Sequence, residues 1–559
     1  MLHSNKILAQ QVVSICSLKG IENVVVSPGS RNAPLIIEFN AYKNIKKYSL
    51  VDERSAAFFA LGIAKKTKKP VALICSSGSA LLNYYPAIAE AYYSEIPLVI
   101  ISADRPKELI DVGDGQAIRQ ENVFVNHIEF SASLSEKKPS INTKLLNNVF
   151  VGIEQFKTPI HINVPFSEPL YETTKDVLAD PSLFNKISNK ESLLEETPLV
   201  VDELQVFADK WNQATKKMIV LGVHSPDEML QTQLVHLAKD PSVIILTENT
   251  SNVTNTQFIQ SIDTVLFPFS KDDFKEYQPE ILITFGGLVV SQKIKQLLRE
   301  NPPKEHWHID KNRSLDTYMC LTHHFKVSIG LFFSQFFFLT KIKESRYQKQ
   351  WLNLKKKRRI RHNEFIKTVP FSDFKVFQIL KDFIPKEIHI QFSNSSTIRY
   401  SQLFLWLKGN KIGCNRGTSG IDGSTSTAIG VAVASQQQTL FVTGDLSFFY
   451  DSNALWNKYI PKSLRVIVIN NRGGGIFRFI PGPTTTKTLD FFETPHNLKA
   501  KQLCEMHNII YQTATNTDEL EICLKEFFSV SKQPKLLEIF TPKEKNAQVL
   551  KAYFNYLVE

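Results

Sequence analysis

Short runs of Val, Ile, Leu and Phe, each cut off by Gly, Ser, Asp or Asn, set the strongest limit on how this chain can fold. They fall into three groups. The first holds "NVVVSPGS" (23–30), "PVALICSS" (70–77) and "PLVIISAD" (97–104). The second holds "KMIVLGV" (217–223), "SVIILTE" (242–248), "ILITFGG" (281–287) and "HWHID" (306–310). The third holds "EIHIQFSNSS" (387–396), "TLFVTGD" (439–445), "LRVIVINN" (464–471) and "KLLEIF" (535–540). Runs so short and so uniformly apolar suit strands covered on both faces. Helical stretches such as "RSAAFFALGIAKK" (54–66) lie between them, and that alternation gives parallel sheets wound on both sides. The expected class is α/β, with three doubly wound parallel-sheet domains at 1–180, 195–345 and 370–559. Residues 173–196 read as a linker, and the basic run "KKKRRIRH" (355–362) reads as the solvated face of a helix between the second and third domains. The first and third groups suggest similar folds without visible sequence similarity.

The 559 residues are 43% apolar and 22% charged, which lets each domain bury a core of its own. A formal net charge of +11 suits nucleic acid, anionic lipid or polyanionic small substrates and does not choose among them. The six cysteines (Cys16, Cys75, Cys320, Cys414, Cys504, Cys523) are scattered without a CxxC pair. That spacing points to a reducing compartment and against a disulfide frame or a zinc site. The start "MLHSNKILAQQVVSICSLKG" has no signal-peptide pattern. The most apolar stretch, "SIGLFFSQFFFLTK" (328–341), is interrupted by Ser334 and Gln335, and a bilayer span needs ~20 apolar residues. A cytoplasmic protein without membrane insertion is expected. No aromatic–basic interleaving or nucleic-acid module is visible, so no nucleic-acid partner is expected.

"TLFVTGD" carries the first chemical signal. Strand C-termini in open α/β sheets are where phosphate-bearing ligands sit, yet Gly444 is followed there by Asp445, a carboxylate. Either no phosphate binds, or a metal ion stands between the two charges. Asn471, 26 residues further on, closes the next apolar run. The gap holds one helix, "DSNALWNKYI" (451–460), and a return to the adjacent parallel strand. Asp445 and Asn471 then lie side by side, and a backbone carbonyl from the Gly-rich turn, Gly473, completes a hard all-oxygen set suited to Mg²⁺. Two ordinary turn-forming loops are the competing explanation of the same residues.

The stretch Gly444–Asn471 resembles the thiamine diphosphate motif, written GDG, about 25–30 residues, then NN; Leu446 departs from its third position. Six longer stretches come in order: "SPGSRNAPL" (27–35), "DERSAAFFALGIAK" (52–65), "SADRPKELIDVGDGQAIRQ" (102–120), "SNSSTIR" (393–399), "NRGTSGIDGSTSTAIG" (415–430) and "NNRGGGIF" (470–477). Together, and over essentially the whole chain, they resemble the 2-succinyl-5-enolpyruvyl-6-hydroxy-3-cyclohexene-1-carboxylate synthase family of menaquinone biosynthesis.

The resemblance implies a fold of the thiamine diphosphate-enzyme type and a transferase (EC 2.2.1 type) with thiamine diphosphate and Mg²⁺, or Mn²⁺, as cofactors. The implied reaction decarboxylates 2-oxoglutarate and adds the succinyl carbanion 1,4 to isochorismate. Glu53 would be the catalytic glutamate against N1′ of the aminopyrimidine; a carboxylate buried there would have a raised pKa, whereas an exposed one would merely be favoured by the helix dipole. Gly420, Ile421, Asp445, Leu446, Ser447, Asn471 and Ile476 would join Glu53 in holding the cofactor, with Asp445, Asn471 and Gly473 on the metal. Ile421 would wedge beneath the cofactor, and Ile476 with Phe477 would wall off the thiazolium. Both substrates are dicarboxylates, which guanidinium groups bind bidentately. Ser30, Arg31 and Arg416 would face isochorismate, Ser395 and Arg399 would hold the distal carboxylate of the succinyl fragment, and Gln116 would touch the intermediate. Where the family commonly has Lys after "VS", this chain has Gln292 followed by Lys293, so either Lys293 substitutes or the contact is missing. The glutamate and metal residues would come from different copies, which makes a homodimer or homotetramer with active sites at the subunit interface. A pyruvate decarboxylase or acetolactate synthase is the nearest rival; decarboxylases carry an early His pair, and the only His-His here is His323-His324. A catalytically lost scaffold or nucleic-acid-binding protein is the other.

Overall fold

The computed structural model describes residues 2–184, 197–406, 409–480 and 482–558. Its apolar runs form three sheets in which all paired strands are parallel. The first comprises β1 (Asn23–Val26), β2 (Lys46–Ser49), β3 (Val71–Cys75), β4 (Leu98–Asp104), β5 (Phe130–Ser133) and β6 (Ile160–Pro165), in the order β2-β1-β3-β4-β6-β5. The middle sheet comprises β7 (Lys217–Leu221), β8 (Val243–Thr247), β9 (Ile281–Phe285), β10 (Glu305–Ile309) and β11 (His323–Phe325), in the order β8-β7-β9-β10-β11. The third comprises β12 (His389–Phe392), β13 (Lys411–Gly413), β14 (Thr439–Gly444), β15 (Leu464–Asn470), β16 (Ile510–Ala514) and β17 (Lys535–Phe540), in the order β13-β12-β14-β15-β17-β16. The first and third sheets therefore share one topology, as the rhythm of the sequence suggested. Helices cover both faces of each sheet, which is why residues such as Val24 and Val25 are equally buried on opposite faces.

Two helices join the outer sheets. Helix α1 (Glu53–Thr67) follows β2, and its N-terminus is capped by Asp52, whose side chain accepts from Ser55 N at 3.0 Å. Helix α2 (Tyr85–Tyr93) follows β3, α3 (Gln292–Glu300) follows β9, and α4 (Tyr347–Thr368) leads toward the third sheet. Helix α5 (Ser424–Val433) follows β13 as α1 follows β2. The two cross where Gly62 meets Gly430: a Cβ on Gly62 would lie 2.2 Å from Thr427 O, and one on Gly430 would lie 2.1 Å from Phe59 O. Only glycine admits that backbone approach. One apolar core consequently runs from Phe58 and Leu61 on α1 to Ile429 on α5 and Val466 on β15. The remaining helices used below are α6 (Asp445–Tyr450) and α7 (Lys543–Val558).

Two expectations need correction, and a third holds. The 173–196 stretch is not all linker: Thr173–Thr174 pairs antiparallel with His3–Ser4, and Pro181–Leu183 forms a 3₁₀ turn, while 185–196 lie outside the described residues. The basic run 355–362 lies within α4, and it is not simply solvated. Arg358 donates to Leu557 O and His362 lies 2.8 Å from the Tyr553 hydroxyl, so part of the run docks on α7. Burial pulls the Lys355 ammonium down to about 8 while it donates to Phe258 O at 2.7 Å. The apolar stretch 328–341 forms a helix at Ile329–Phe336 packed into the middle core, and among the described residues no helix is long and apolar enough to cross a membrane.

Candidate active site

The C-terminal edge of the third sheet gathers the oxygen donors. Strands β14 and β15 are neighbours, with Gly444 opposite Ile469, so Asp445 and Asn471 both emerge at that edge. The connection differs from the expected helix over 451–460. Asp445 itself begins α6, and a 3₁₀ turn at Ser452–Leu455 follows. Asp445 is 2% exposed. Its Oδ1 accepts from Leu446 N at 2.7 Å and its Oδ2 from Gly473 N at 2.9 Å, which draws the Gly-rich turn onto the carboxylate. Gly473 has φ +145°, and a Cβ there would lie 2.6 Å from Glu493 O.

Asn471 shows what this edge is built for. Its Nδ2 donates to Asp373 Oδ2 at 3.1 Å, leaving Oδ1 buried with no partner. Asp373 also accepts from Thr541 Oγ1 at 2.6 Å; burial raises its pKa to about 6, so at neutral pH it is largely a carboxylate that only accepts. That fixes the amide with its nitrogen toward Asp373 and its oxygen toward the open edge. A buried orphan carbonyl oxygen is costly, and beside a buried carboxylate it fits a hard divalent cation. The residues thus suit a metal-held diphosphate. His496 was not expected here. Its Nδ1 accepts from Leu498 N at 3.1 Å, and its Nε2 stands 3.3 Å from Asp445 Oδ2.

Around these donors the loop 415–421 is pinned from three sides. Ser447 Oγ donates to Ile421 O at 2.7 Å, Asn394 Nδ2 donates to Gly420 O at 2.7 Å, and Glu90 on α2 accepts from Gly417 N at 2.8 Å and Thr418 N at 2.7 Å. Ile421, Leu446, Ile476 and Phe477 are half-buried, and Phe477 packs against Phe492 with ring centroids 5.3 Å apart. Ser395 sits at φ +67°, before the short helix Ser396–Ser401 that carries Arg399. Arg399 donates to Ser395 O at 2.8 Å and Arg416 to Asn394 Oδ1 at 2.9 Å. Burial, then the neighbouring Arg416, lowers the pKa of Arg399, and Arg416 Nε is buried without a partner. Cationic groups held under strain of this kind fit an anionic ligand. Arg399 and Ile476 line a cavity of about 520 Å³ that Asp263, Gln292 and Lys293, on helices of the middle part of the chain, also line. Glu248, raised by burial to about 7, positions that lining by accepting from Val290 N at 2.7 Å and Ser291 N at 2.8 Å.

The first-sheet residues form a separate group. Glu53 is the first residue of α1 and accepts from Asn83 Nδ2 at 3.3 Å. It is half-buried rather than enclosed as expected, although its neighbours Asp52 and Arg54 meet Asn453 Nδ2 at 2.7 Å and Tyr450 O at 2.9 Å. Arg31 is buried and held by Phe166 O at 2.8 Å and Glu168 at 3.0 Å, whereas Ser30 and Gln116 are exposed. Gln116 adopts φ +56° and lies over Gly78, whose Cβ would come within 3.3 Å of it. Among the described residues no hydrogen bond or ion pair joins Glu53 to Asp445 or Asn471. Sequence reasoning missed Asp373, His496, Glu90 and Glu248. Asp373 opens an amphipathic helix (Asp373–Phe383), where an acid ordinarily reads as an exposed residue favoured by the dipole.

Comparison with known proteins places this arrangement. Residues 7–128 match the family model described as thiamine pyrophosphate enzyme, N-terminal TPP binding domain, and residues 187–390 match the middle domain of thiamine pyrophosphate enzymes. Fold and site together define a thiamine diphosphate-dependent enzyme that works with a divalent metal ion. The chain is 50% identical to the 2-succinyl-5-enolpyruvyl-6-hydroxy-3-cyclohexene-1-carboxylate synthase of Christiangramia forsetii and 49% identical to that of Flavobacterium psychrophilum, over 100% of each chain in both cases. It is 38% identical to the synthase of Porphyromonas gingivalis, over 99% of this chain and 98% of that one. The chain belongs to the 2-succinyl-5-enolpyruvyl-6-hydroxy-3-cyclohexene-1-carboxylate synthase family.

Proposed function

We propose that this enzyme decarboxylates 2-oxoglutarate and adds the resulting four-carbon unit 1,4 to isochorismate, giving 2-succinyl-5-enolpyruvyl-6-hydroxy-3-cyclohexene-1-carboxylate and CO₂ in menaquinone biosynthesis. The observation that carries this reading is the pairing of a dianion-ready cavity, flanked by Arg399 and Lys293, with the unpartnered Asn471 Oδ1 beside Asp445. When bound, thiamine diphosphate supplies the carbon nucleophile and the electron sink for decarboxylation. Asp445, Asn471 and the Gly473 carbonyl would hold the divalent metal that goes with its diphosphate, and Gly420, Leu446 and Ser447 would line its bed. Ile421 supports the cofactor from below. Ile476 and Phe477 keep water from the reacting carbon, where a dry wall strengthens electrostatics. Glu53 holds a proton against N1′ of the aminopyrimidine. Arg399, backed by Ser395, binds the distal carboxylate of 2-oxoglutarate, and Lys293 on the cavity wall takes the part left open by Gln292. Ser30, Arg31 and Arg416 bind the isochorismate carboxylates, and Gln116 contacts the joined product.

Among the described residues no hydrogen bond or ion pair joins Glu53 to Asp445, which is compatible with a site completed by a second copy, in a homodimer or homotetramer. The three sheets lie inside 1–180, 195–345 and 370–559, and we divide the chain there. A cytoplasmic location follows from the small soluble substrates proposed. The test follows isochorismate loss by absorbance with purified enzyme, Mg²⁺, thiamine diphosphate and 2-oxoglutarate, each omitted in turn. Consumption that requires every component is expected. Turnover with pyruvate but not 2-oxoglutarate would overturn the assignment of substrate.

A further inference from the structure

Beside the middle sheet, three electron-rich side chains converge that are not among the site residues above. His306 lies on β10, and Asp316 and Cys320 lie on the connection from β10 to β11. Cys320 Sγ and Asp316 Oδ1 each stand 3.8 Å from His306 Nδ1, and one donor atom from each residue lies within 4.8 Å of the others. At 3.8 Å the carboxylate is beyond hydrogen-bond reach of the ring, so geometry brings these groups together without a proton bridge between nitrogen and oxygen. Each ligand is also braced. His306 is fully buried, and its Nε2 lies 2.9 Å from Thr284 Oγ1 on β9, which engages His308 Nδ1 at 2.9 Å as well. One hydroxyl proton can serve only one ring; with His306 donating through Nε2, its Nδ1 lone pair faces Asp316 and Cys320. Asp316 Oδ1 accepts from Cys320 N at 2.9 Å and Leu321 N at 3.1 Å, which wraps the loop around the carboxylate and turns Sγ to the same side.

We infer that His306, Asp316 and Cys320 form a second metal site, specific for a borderline divalent ion of the Zn²⁺ kind. Nitrogen, oxygen and sulfur donors together select such an ion over Mg²⁺. Tetrahedral coordination at ordinary Zn²⁺ bond lengths puts adjacent ligand atoms about 3.4–3.6 Å apart, so the 3.8 Å separations need to contract by only a few tenths of an ångström. Three protein ligands leave a fourth position to water on the exposed side, where Asp316 reaches solvent. Binding exchanges the Cys320 thiol proton for the metal, and that proton leaves to solvent. The site has a structural purpose within the fold. The same connection carries Arg313, whose guanidinium donates to Tyr92 O and Tyr93 O at the end of α2. A metal clip would therefore fasten the segment by which the middle sheet grips the first. The scattered cysteines gave no hint of this, because His306 and Cys320 meet only when the connection folds back over β10.

The experiment uses the untagged full-length enzyme already loaded with Mg²⁺ and thiamine diphosphate, titrated with Co²⁺ while the near-UV thiolate-to-cobalt absorption is followed, and with Zn²⁺ in competition. One tight equivalent per chain with a thiolate band is expected, displaced by Zn²⁺. Cys320→Ser should abolish the band, and Asp316→Asn should weaken binding at least about tenfold. Absence of a thiolate band in the unmodified enzyme, or a band that survives in Cys320→Ser, would overturn the site. The unmodified enzyme decides the first of these outcomes even where a substitution disturbs the loop.

Discussion

The first and third sheets have the same strand order and opposite chemistry at their C-terminal edges. At the first, the side chains expected to act are open or already partnered: Arg31 is pinned by Phe166 and Glu168, and Glu53 stands half-open at a helix start. At the third, polar atoms are buried and left over: Asn471 Oδ1 and Arg416 Nε have no partner. One topology thus serves once as a surface that offers groups outward and once as a cradle that waits for a ligand. Function resides in what each edge leaves unsatisfied, not in the fold.

The sharpest way to break this comparison is to disable each edge separately. Glu53→Gln should retain cofactor binding and lose ~10²–10⁴-fold in turnover, while Asp445→Ala should lose metal-dependent cofactor binding. Mixing the two inactive variants under conditions of subunit exchange should restore activity well above either alone; no recovery would mean that the edges do not combine across copies. Next come the arginines. Arg399→Ala should lower kcat/KM for 2-oxoglutarate, and Arg31→Ala that for isochorismate, each by about 10–100-fold, the worth of a charged hydrogen bond. Equal effects on both substrates in each variant would erase the division of labour.

Asp373→Asn tests the cradle alone. With a neutral amide opposite, Asn471 loses its fixed sense, and Mn²⁺ affinity, read by titration, should fall about 10–100-fold with the first edge untouched. Gly430→Ala attacks the joint between the two halves. A Cβ 2.1 Å from Phe59 O forces the helices apart, and overpacking of this kind costs about 1–3 kcal/mol, visible as a lower thermal midpoint. The last prediction concerns pH dependence. Asp451 caps α5 by accepting from Ser426 N at 2.7 Å, and burial raises its pKa from 3.8 to about 7. Between those values the folded chain holds a proton that the unfolded chain releases, so this group's contribution to stability falls as pH rises from about 4 to about 7. Asp451→Asn should flatten that part of the stability profile.

Much of this architecture was legible from the residues. The apolar runs mark their own ends, and the length between Asp445 and Asn471 admits little besides adjacent parallel strands. What escaped notice shares one physical trait: partners far apart in sequence with no periodic pattern to announce them. Asp373 stands 98 residues from Asn471, and Glu90 stands 327 from Gly417. The basic run of α4 misled for a related reason. Long side chains can bury their stems and dock on carbonyls such as Leu557 O while the sequence still reads as solvated charge.

The contact of Gly62 with Gly430 carries a mechanical consequence. Backbone against backbone leaves no compliant side chain to absorb a slip, so α1 and α5 move as one strut. Glu53 is the first residue at one end of that strut, and the Ile421 loop feeds directly into the other helix. In an assembly where a chain lends Glu53 to its neighbour and keeps Ile421 for itself, each chain is a rigid rod with one end in either site.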